Sequence, residues 1–314
     1  MSNQKTFVII NSYLIGDIIL VNSLVQNIKR IWKDSKVVML SSSKLIDVCK
    51  NQEGVDDVII WDRHGKHKSF LGMLKFILTF PYKNIYAAFP IYGMDRPVLL
   101  SFLLGAKYIL FKKIGRKNIF DRLFKSKYKL KEIDKSNFTT QNMHLNLLSG
   151  ITKEELIDCK IKYNLDNQNQ IINDLQDYIT LCPISSRPTK DMPYETVVDL
   201  IKNSTKKVIL LGSGKTSQEL SEKLKNENLD NLIDYSNKTS INEAAHIISN
   251  SIGGIISVDT GLMHIACALD KPTVAVFYEV KNSPFIPKEE LYNTKTIVEN
   301  QTAENILSTL NSIV

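Results

Sequence analysis

The sequence predicts an α/β fold built from two parallel-sheet domains. Short β-branched apolar runs alternate with segments of helical periodicity, a pattern typical of parallel strands joined by right-handed crossovers. An Asn-, Gln- and Asp-rich stretch at residues 158–177 interrupts the alternation, which then starts again. The 314 residues suffice for roughly two domains. We therefore predict an N-terminal domain at residues 1–160 and a C-terminal domain at 161–314, with a cleft between them and ligands at the carboxyl ends of the strands.

In the first half, three apolar runs predict strands at residues 7–10, 36–40 and 58–61. Apolar residues at spacings of three and four predict one amphipathic helix after the first strand. These residues are Ile18, Val21, Val25, Ile28 and Trp32. Residues 72–80 are apolar, which fits either a core segment or a segment that helps the protein dock on a membrane.

The second half repeats the pattern of β-branched strands separated by amphipathic helices. The predicted strands span residues 178–182, 207–211, 254–258 and 273–277. The predicted helices span residues 194–202, 218–226, 240–248, 262–269 and 302–313. Ser240 and Glu243 form the Ser-x-x-Glu pattern of a capping box, which opens the third of these helices. Pro193 is expected at the first position of the first one.

The composition is that of an ordinary globular protein, because 43% of the residues are apolar and 23% are charged. The apolar stretches are far shorter than the ~18 residues of a membrane-spanning helix, and we expect no signal peptide. Four dispersed cysteines without a CxxC pair argue against a zinc site or a disulfide framework and favour a reducing, cytoplasmic compartment. The net charge of +7 indicates an anionic partner: nucleic acid, an acidic membrane surface or a phosphorylated substrate.

The excess positive charge is concentrated at residues 107–135, where 11 basic and 3 acidic side chains leave a net charge of +8. Apolar and aromatic residues are interleaved with this charge, which suits an anionic lipid surface. A solvated basic face is the alternative, and no recognition motif accompanies the charge to favour nucleic acid. Arg63, Lys66 and Lys68, which follow a predicted strand, and Arg116 of the basic stretch are candidates for binding an anionic acceptor.

Residues 212–216, Gly-Ser-Gly-Lys-Thr, resemble the end of a phosphate-binding P-loop. The full motif requires a glycine five residues before Gly214, and that position is Ile209 inside a predicted strand. Without that glycine the loop cannot wrap around phosphates. The stretch therefore fits a plain strand–turn–helix connection, from which Lys215 could still approach a ligand.

At residues 257–264 a buried strand runs directly into a helix that starts after Gly261. Free backbone N–H groups at a helix start bind anions, and a glycine there lets a ligand approach the backbone closely. Asp259 or Thr260 can cap the helix, and His264 lies one turn further in. An ordinary cap followed by a core histidine explains the pattern equally well.

Two further loops carry candidate polar side chains. The loop at residues 183–193 holds the hydroxyls of Ser185 and Ser186 together with an arginine and Lys190, which suit phosphate oxygens. A solvated surface loop is the alternative. Asp17 lies between the first strand and the first helix, where it can act either as a helix cap or as a general base.

Taken in this order, these patterns resemble glycosyltransferase family 9, the heptosyltransferase family of lipopolysaccharide assembly. The matching elements are Gly16-Asp17, the Ser-Ser-Arg-x-x-Lys-x-x-Pro loop at residues 185–193, and Asp-Thr-Gly-x-x-His-x-Ala-x-Ala-x-x-x-Pro at residues 259–272. The last element is the specific one, and residues 144–151 also resemble the family.

The resemblance implies a GT-B fold of two Rossmann-like domains, with the acceptor on the N-terminal domain and a nucleotide-sugar donor on the C-terminal domain. It implies inverting transfer without a catalytic metal or other cofactor, and ADP-heptose as the donor. By position, Asp17 is the general base. The donor is then held by Ser185, Ser186, Lys190, Asp259, Thr260, Gly261 and His264.

Two positions depart from the family pattern: Met192 replaces a tryptophan, and Tyr278-Glu279 replaces the glycine after the strand at 273–277. With Gly212 they are expected at the donor pocket, so another donor is the alternative to ADP-heptose. We predict a cytoplasmic glycosyltransferase, peripheral on the inner face of the membrane, that extends a lipopolysaccharide-type glycolipid and binds no nucleic acid. The alternatives are a transferase that uses another nucleotide sugar for capsule or protein glycans, and a member that binds without turnover.

Overall fold

The computed structural model describes residues 4–11, 14–111, 139–165, 177–279 and 283–314. The chain divides into two units, Met1–Cys159 and Lys160–Val314. Each unit contains one parallel β-sheet with accompanying helices, which confirms the predicted α/β class.

The strands of the first unit are β1 (Thr6–Ile10), β2 (Lys36–Ser41), β3 (Asp57–Ile60), β4 (Ile85–Pro90) and β5 (Tyr108–Ile109). They form a parallel sheet in the order β3-β2-β1-β4-β5. In this register Val8 of β1 lies opposite Val38 of β2 and Ala88 of β4. Every residue of β1 is buried, as expected for a central strand of a parallel sheet with both faces covered.

The helices of this unit are α1 (Ile15–Leu20), α2 (Asn22–Ile31), α3 (Ile46–Lys50), α4 (Phe70–Thr79), α5 (Asp95–Leu103) and α6 (Thr140–Leu145). The single helix predicted over residues 18–32 is wrong, because α1 and α2 are separate helices joined at Val21. Val21 keeps right-handed helical dihedrals, φ −76° and ψ −10°. The apolar spacing therefore persists through the break, and periodicity alone cannot reveal it.

Residues 139–159 are joined to α2 by side-chain amides. The Asn27 amide donates to the carbonyl of Ile157 at 2.8 Å and accepts from the N–H of the same residue at 3.0 Å. Within the segment itself, the Gln141 amide of α6 donates to the carbonyl of Cys159 at 2.9 Å. Because these bonds satisfy backbone groups outside the sheet, they attach the segment to the first unit as far as Cys159.

The strands of the second unit are β6 (Tyr178–Cys182), β7 (Lys207–Leu210), β8 (Leu232–Asp234), β9 (Ile255–Val258), β10 (Thr273–Val276) and β11 (Thr294–Ile297). They form a parallel sheet in the order β11-β10-β9-β6-β7-β8. The strand order therefore reverses between β6 and β9, which is the arrangement of a doubly wound Rossmann sheet.

The helices of the second unit are α7 (Tyr194–Asn203), α8 (Lys215–Leu224), α9 (Ile241–Asn250), α10 (Gly261–Ala268) and α11 (Ala303–Asn311). The predicted capping box is confirmed, because Ser240 and Glu243 exchange both hydrogen bonds at the start of α9. The helix predicted at residues 218–226 begins earlier, at Lys215, and Pro193 is the N-cap of α7 rather than its first residue. Within the described residues, no helix has the length and apolar character needed to cross a membrane.

Candidate functional site

Two neighbouring strands of the second sheet end beside each other and lead into the candidate donor loops. Cys182 at the end of β6 pairs with Ser257 of β9, so residues 183–193 and residues 259–261 leave the same edge of the sheet. The strand order reverses at this pair. In open α/β sheets the crevice at such a reversal is where ligands bind.

The structure joins these two loops by an ion pair. The ammonium of Lys190 lies 2.5 Å from the carboxylate of Asp259, with side-chain exposures of only 16% and 8%. The same ammonium lies 5.5 Å from the centre of the Phe285 ring. A pair this shielded from water is screened far less than a surface pair, so it fixes the position of Lys190 over the end of the sheet.

The loop that carries Lys190 is closed on itself by Asp191. The Asp191 carboxylate accepts a hydrogen bond from the N–H of Ser185 at 2.6 Å, and burial raises the pKa of this carboxyl group. The Ser185 hydroxyl donates to the carbonyl of Arg187 at 2.8 Å and accepts from its N–H at 3.0 Å. Ser186 is exposed. Sequence reasoning missed Asp191, although a carboxylate six residues after a serine in a short loop is the kind of signal that could have identified it.

The start of α10 lies directly after Asp259. Thr260 is the N-cap with extended backbone, φ −141° and ψ 167°, and its side chain makes no capping hydrogen bond. The expected N-cap position of Thr260 is confirmed, but its side chain does not supply the capping hydrogen bond, and the Asp259 carboxylate is paired with Lys190. Backbone N–H groups in the first turn, beginning at Gly261, remain suited to an anion.

His264 lies one turn into α10 and is buried, with 5% exposure. Burial lowers the pKa of its imidazole to about 4, while Asp259 raises it and Lys190 lowers it further. Its ring centre lies 6.4 Å from that of Phe285. His264 is therefore a neutral residue at pH 7, close enough to Asp259 and Lys190 for both charges to act on it. Phe285, whose ring lies near both the His264 imidazole and the Lys190 ammonium, was not identified from the sequence.

The buried state of His264 predicts a pH-dependent stability. As the pH falls below 6.5, the unfolded chain gains a proton at this histidine, whereas the folded protein gains it only near pH 4. Stability is therefore lost as the pH falls through this window, by about 3 kcal/mol for this group. Urea unfolding of wild type and His264→Gln between pH 7 and pH 4 measures this, and the variant is expected to have the shallower dependence. The exposed His64→Gln is the control; equal slopes for wild type and His264→Gln would contradict the assignment.

The P-loop look-alike is a plain connection between β7 and α8. Ile209 is buried inside β7, and Gly214 is the N-cap of α8 with a φ of +93° that favours glycine. Asn237 holds the turn through two hydrogen bonds. Its side-chain oxygen accepts from the backbone N–H of Gly214 at 2.7 Å, and its backbone N–H donates to the carbonyl of Gly212 at 2.9 Å. Lys215 is exposed and paired with Glu219 of the same helix at 3.3 Å.

In the first unit, Asp17 follows the carboxyl end of β1, and the strand order of that sheet reverses between β1 and β4. Helix α1 begins at Ile15, so Asp17 belongs to its first turn rather than to a loop, and Leu14 is the N-cap. The side chain is 7% exposed. Asn11, at the end of β1, donates its amide to the Asp17 carbonyl at 3.0 Å, which ties this turn to the strand.

The basic residues predicted to bind an acceptor lie in a tightly held turn at residues 62–69. The Asp62 carboxylate accepts from the N–H of Gly65 at 2.9 Å. From α5, the Arg96 guanidinium donates to the carbonyls of His67 and Lys68 at 2.9 and 2.6 Å. These bonds hold the backbone that presents Arg63, Lys66 and Lys68. Arg116 and most of the basic stretch at 107–135 lie outside the described residues.

The sequence profile of glycosyltransferase family 9 (heptosyltransferase) matches residues 123–306, more than half of the chain. The chain belongs to this family. It is 30% identical over 106 residues to lipooligosaccharide heptosyltransferase 2 of Haemophilus influenzae, an alignment that spans 32% of this chain and 30% of that protein.

Solved structures share the fold of this family 9 chain over its whole length. The family 9 glycosyltransferase of Veillonella parvula has a TM-score of 0.83 at 16% identity, with 100% of this chain and 98% of that chain covered. The heptosyltransferase WaaC of E. coli, solved with ADP-2-deoxy-2-fluoro heptose, has a TM-score of 0.75 at 17% identity, with 98% and 100% covered. These findings confirm the family resemblance, the GT-B fold class and the enzyme class of glycosyltransferase.

The two residues that depart from the family 9 pattern pack toward the core. Met192 is 4% exposed and belongs to the hydrophobic core of the second unit. Tyr278 is half-buried against the same core, and burial raises its pKa to about 12. Their predicted place at the donor pocket stays a prediction. Among the described residues no group of His, Cys, Asp and Glu side chains is arranged to hold a metal ion, and metal-independent transfer likewise stays a prediction.

Proposed function

We propose that this family 9 chain transfers a sugar from a nucleoside-diphosphate donor to a glycolipid acceptor, with inversion at the anomeric carbon. The observation that carries the proposal is the Lys190–Asp259 ion pair where the strand order reverses, next to the start of α10. A diphosphate requires a cation and free N–H donors in one place, and this part of the second unit offers both.

Lys190 and the first turn of α10 act on the leaving group. As the bond between the anomeric carbon and the diphosphate oxygen breaks, its electron pair stays on the nucleoside diphosphate, whose negative charge grows. Lys190, held in advance by Asp259, neutralises that charge as it develops, which is where stabilisation accelerates a reaction. Asp259 then turns its carboxylate toward hydroxyls of the donor sugar. Ser185 and Ser186 complete the diphosphate contacts, and the neutral His264 supports Asp259.

Asp17 is the general base of the proposed reaction. The acceptor hydroxyl oxygen forms the new bond to the anomeric carbon, and its proton passes to the Asp17 carboxylate. The position of Asp17 at the reversal point of the first sheet supports this role, because that edge is where an α/β domain receives its ligand. The presence of this carboxylate speaks against the alternative of a family member that binds without turnover.

The proposed donor is ADP-heptose, and the proposed acceptor is an anionic glycolipid of the lipopolysaccharide type. The WaaC structure with ADP-2-deoxy-2-fluoro heptose and the lipooligosaccharide heptosyltransferase 2 match support this choice. The basic turn with Arg63, Lys66 and Lys68 supports an anionic acceptor. We infer that the reaction takes place in the cytoplasm at the inner face of the membrane. Met192 and Tyr278 favour one alternative, transfer from another nucleotide sugar.

A thermal-shift panel of nucleotide sugars tests the donor. We expect ADP-2-deoxy-2-fluoro heptose at about 100 times its dissociation constant to add roughly 2.7 kcal/mol to the stability, which raises the melting temperature by several degrees. UDP-, GDP- and CMP-sugars and ATP with magnesium are the controls and are expected to give no shift. A shift with a different nucleotide sugar would replace ADP-heptose as the donor, and no shift with any sugar nucleotide would contradict the proposed function.

A further inference from the structure

Helix α4 presents an apolar surface to solvent. Its side chains Phe70, Leu71, Leu74 and Leu78 are 71%, 74%, 41% and 72% exposed. In an α-helix these four positions fall within an arc of about 100°, so they form one continuous face, which we call the α4 face. No other helix among the described residues exposes more than one large apolar side chain. Isolated exposed apolar residues are common, but a contiguous group marks an interaction surface.

The opposite side of α4 attaches the helix firmly to the first unit. Met73 and Phe76 are buried, each with 6% exposure, and Phe76 belongs to the core that includes Trp61. A Cβ atom added to Gly72 would collide with the backbone oxygen of Lys66, so the helix packs directly on the basic turn. Because Met73 and Phe76 on the opposite side already anchor the helix in the core, the exposed α4 face does not contribute to core packing.

The sequence around the α4 face is predominantly basic. From Asp62 to Lys83 it contains five Lys or Arg residues and one acidic residue, Asp62, whose carboxylate accepts hydrogen bonds from backbone N–H groups of the basic turn. Lys66 and Lys68 precede the helix and are exposed, Lys75 lies on it beside the arc, and Lys83 follows it. Lysine side chains can extend their ammonium groups toward headgroups while their stems stay among apolar groups. The electrostatic complement of this rim is a negatively charged surface.

We propose that the α4 face, with its lysine rim, is the surface by which the protein docks on an anionic lipid bilayer. The helix lies in the interface, its apolar side chains enter the acyl boundary, and the lysines contact headgroup phosphates. A bilayer fits this surface because the apolar side chains match its acyl interior while the lysine rim matches its anionic headgroups, and self-association through the same face is an outcome of the test below. This inference rests on the proposed function and adds the surface by which the protein contacts the membrane. Vesicle binding is measured without sugar transfer, so membrane docking and the proposed reaction can fail separately.

Co-sedimentation with vesicles tests this surface. The vesicles are phosphatidylcholine with about one third phosphatidylglycerol, and pure phosphatidylcholine serves for comparison. We expect wild type to prefer the anionic vesicles and Leu71→Gln/Leu78→Gln to lower the partition coefficient by at least about tenfold, because each leucine transferred to an apolar phase contributes about that factor. Ile157→Gln/Ile252→Gln removes two exposed apolar side chains elsewhere, and this control is expected to bind like wild type.

A second measurement does not depend on loss of binding. The Leu78→Trp variant is expected to show a blue-shifted tryptophan emission when anionic vesicles are added, whereas Ile252→Trp is expected to show none. Unchanged partitioning of the double leucine variant, or no emission shift at position 78, would overturn the proposal. So would sedimentation velocity showing that wild type self-associates through this face and the double variant does not, with neither binding vesicles. The donor-induced thermal shift of the leucine variant is expected to equal that of wild type.

Discussion

The Asp17→Asn variant is expected to transfer sugar about 10²–10⁴-fold more slowly than wild type, which is the usual contribution of a positioned general base. The amide has the size of the carboxylate but cannot accept the acceptor's proton. Donor affinity is expected to stay within about twofold, because the proposed donor residues belong to the second unit. Single-turnover kinetics measure the rate of transfer, and the thermal shift with the donor analogue measures donor binding.

A matched control separates catalysis from folding for this variant. Asp47 is also an acidic residue in the first turn of a helix of the first unit, but it is exposed and lies on α3. Asp47→Asn is expected to transfer sugar at the wild-type rate. An Asp17→Asn variant that keeps more than about a tenth of wild-type activity would remove Asp17 from the role of base.

Lys190→Met is expected to weaken donor binding by about 10–100-fold and to slow transfer further, because the lost cation stabilises charge that grows in the transition state. It also leaves the Asp259 carboxylate, which is 8% exposed, without its partner. We therefore expect the free energy of unfolding to fall by about 1–3 kcal/mol. Urea unfolding measures the stability, and the thermal shift and transfer rate report the donor.

The double variant Lys190→Met/Asp259→Asn separates these two effects. Removing the unpartnered charge is expected to restore most of the stability, while donor binding stays weak. The control is Lys202→Met, which breaks an exposed Lys–Glu pair on the same unit and is expected to change neither donor binding nor transfer. Wild-type donor affinity in Lys190→Met would show that the lysine does not contact the donor and would contradict the proposed site.

Much of the second unit could be predicted from the sequence because its elements are marked by local patterns. Apolar β-branched runs place β6, β7, β9 and β10 within a residue or two, and Ser240 with Glu243 marks the start of α9. Other strands carry weaker signals: β8 has three residues and β11 mixes lysine and threonine with apolar residues, and neither was predicted. In the first unit β4, which lies beside β1, was also not predicted.

Helix α4 shows why an apolar segment is ambiguous. Its sequence, FLGMLKFILT, is apolar on nearly every side, so periodicity does not indicate which face is buried. The sequence left two interpretations of residues 72–80 open, core segment or docking segment. In the structure, Phe76 on one side of the helix is buried in the core, whereas Leu71 and Leu78 are exposed to solvent.

The sequence by itself determined the alternating α/β order and the residue types of the candidate donor loops, because these depend on neighbours along the chain. Only the tertiary structure decided which of those residues meet. Lys190 and Asp259 are 69 positions apart and come together because β6 and β9 are neighbours in the sheet. The lowered pKa of His264 and the pairing of Asp259 with Lys190 have the same origin, because burial and a partner's charge are properties of the packed sheet edge, where low water access makes each contact strong.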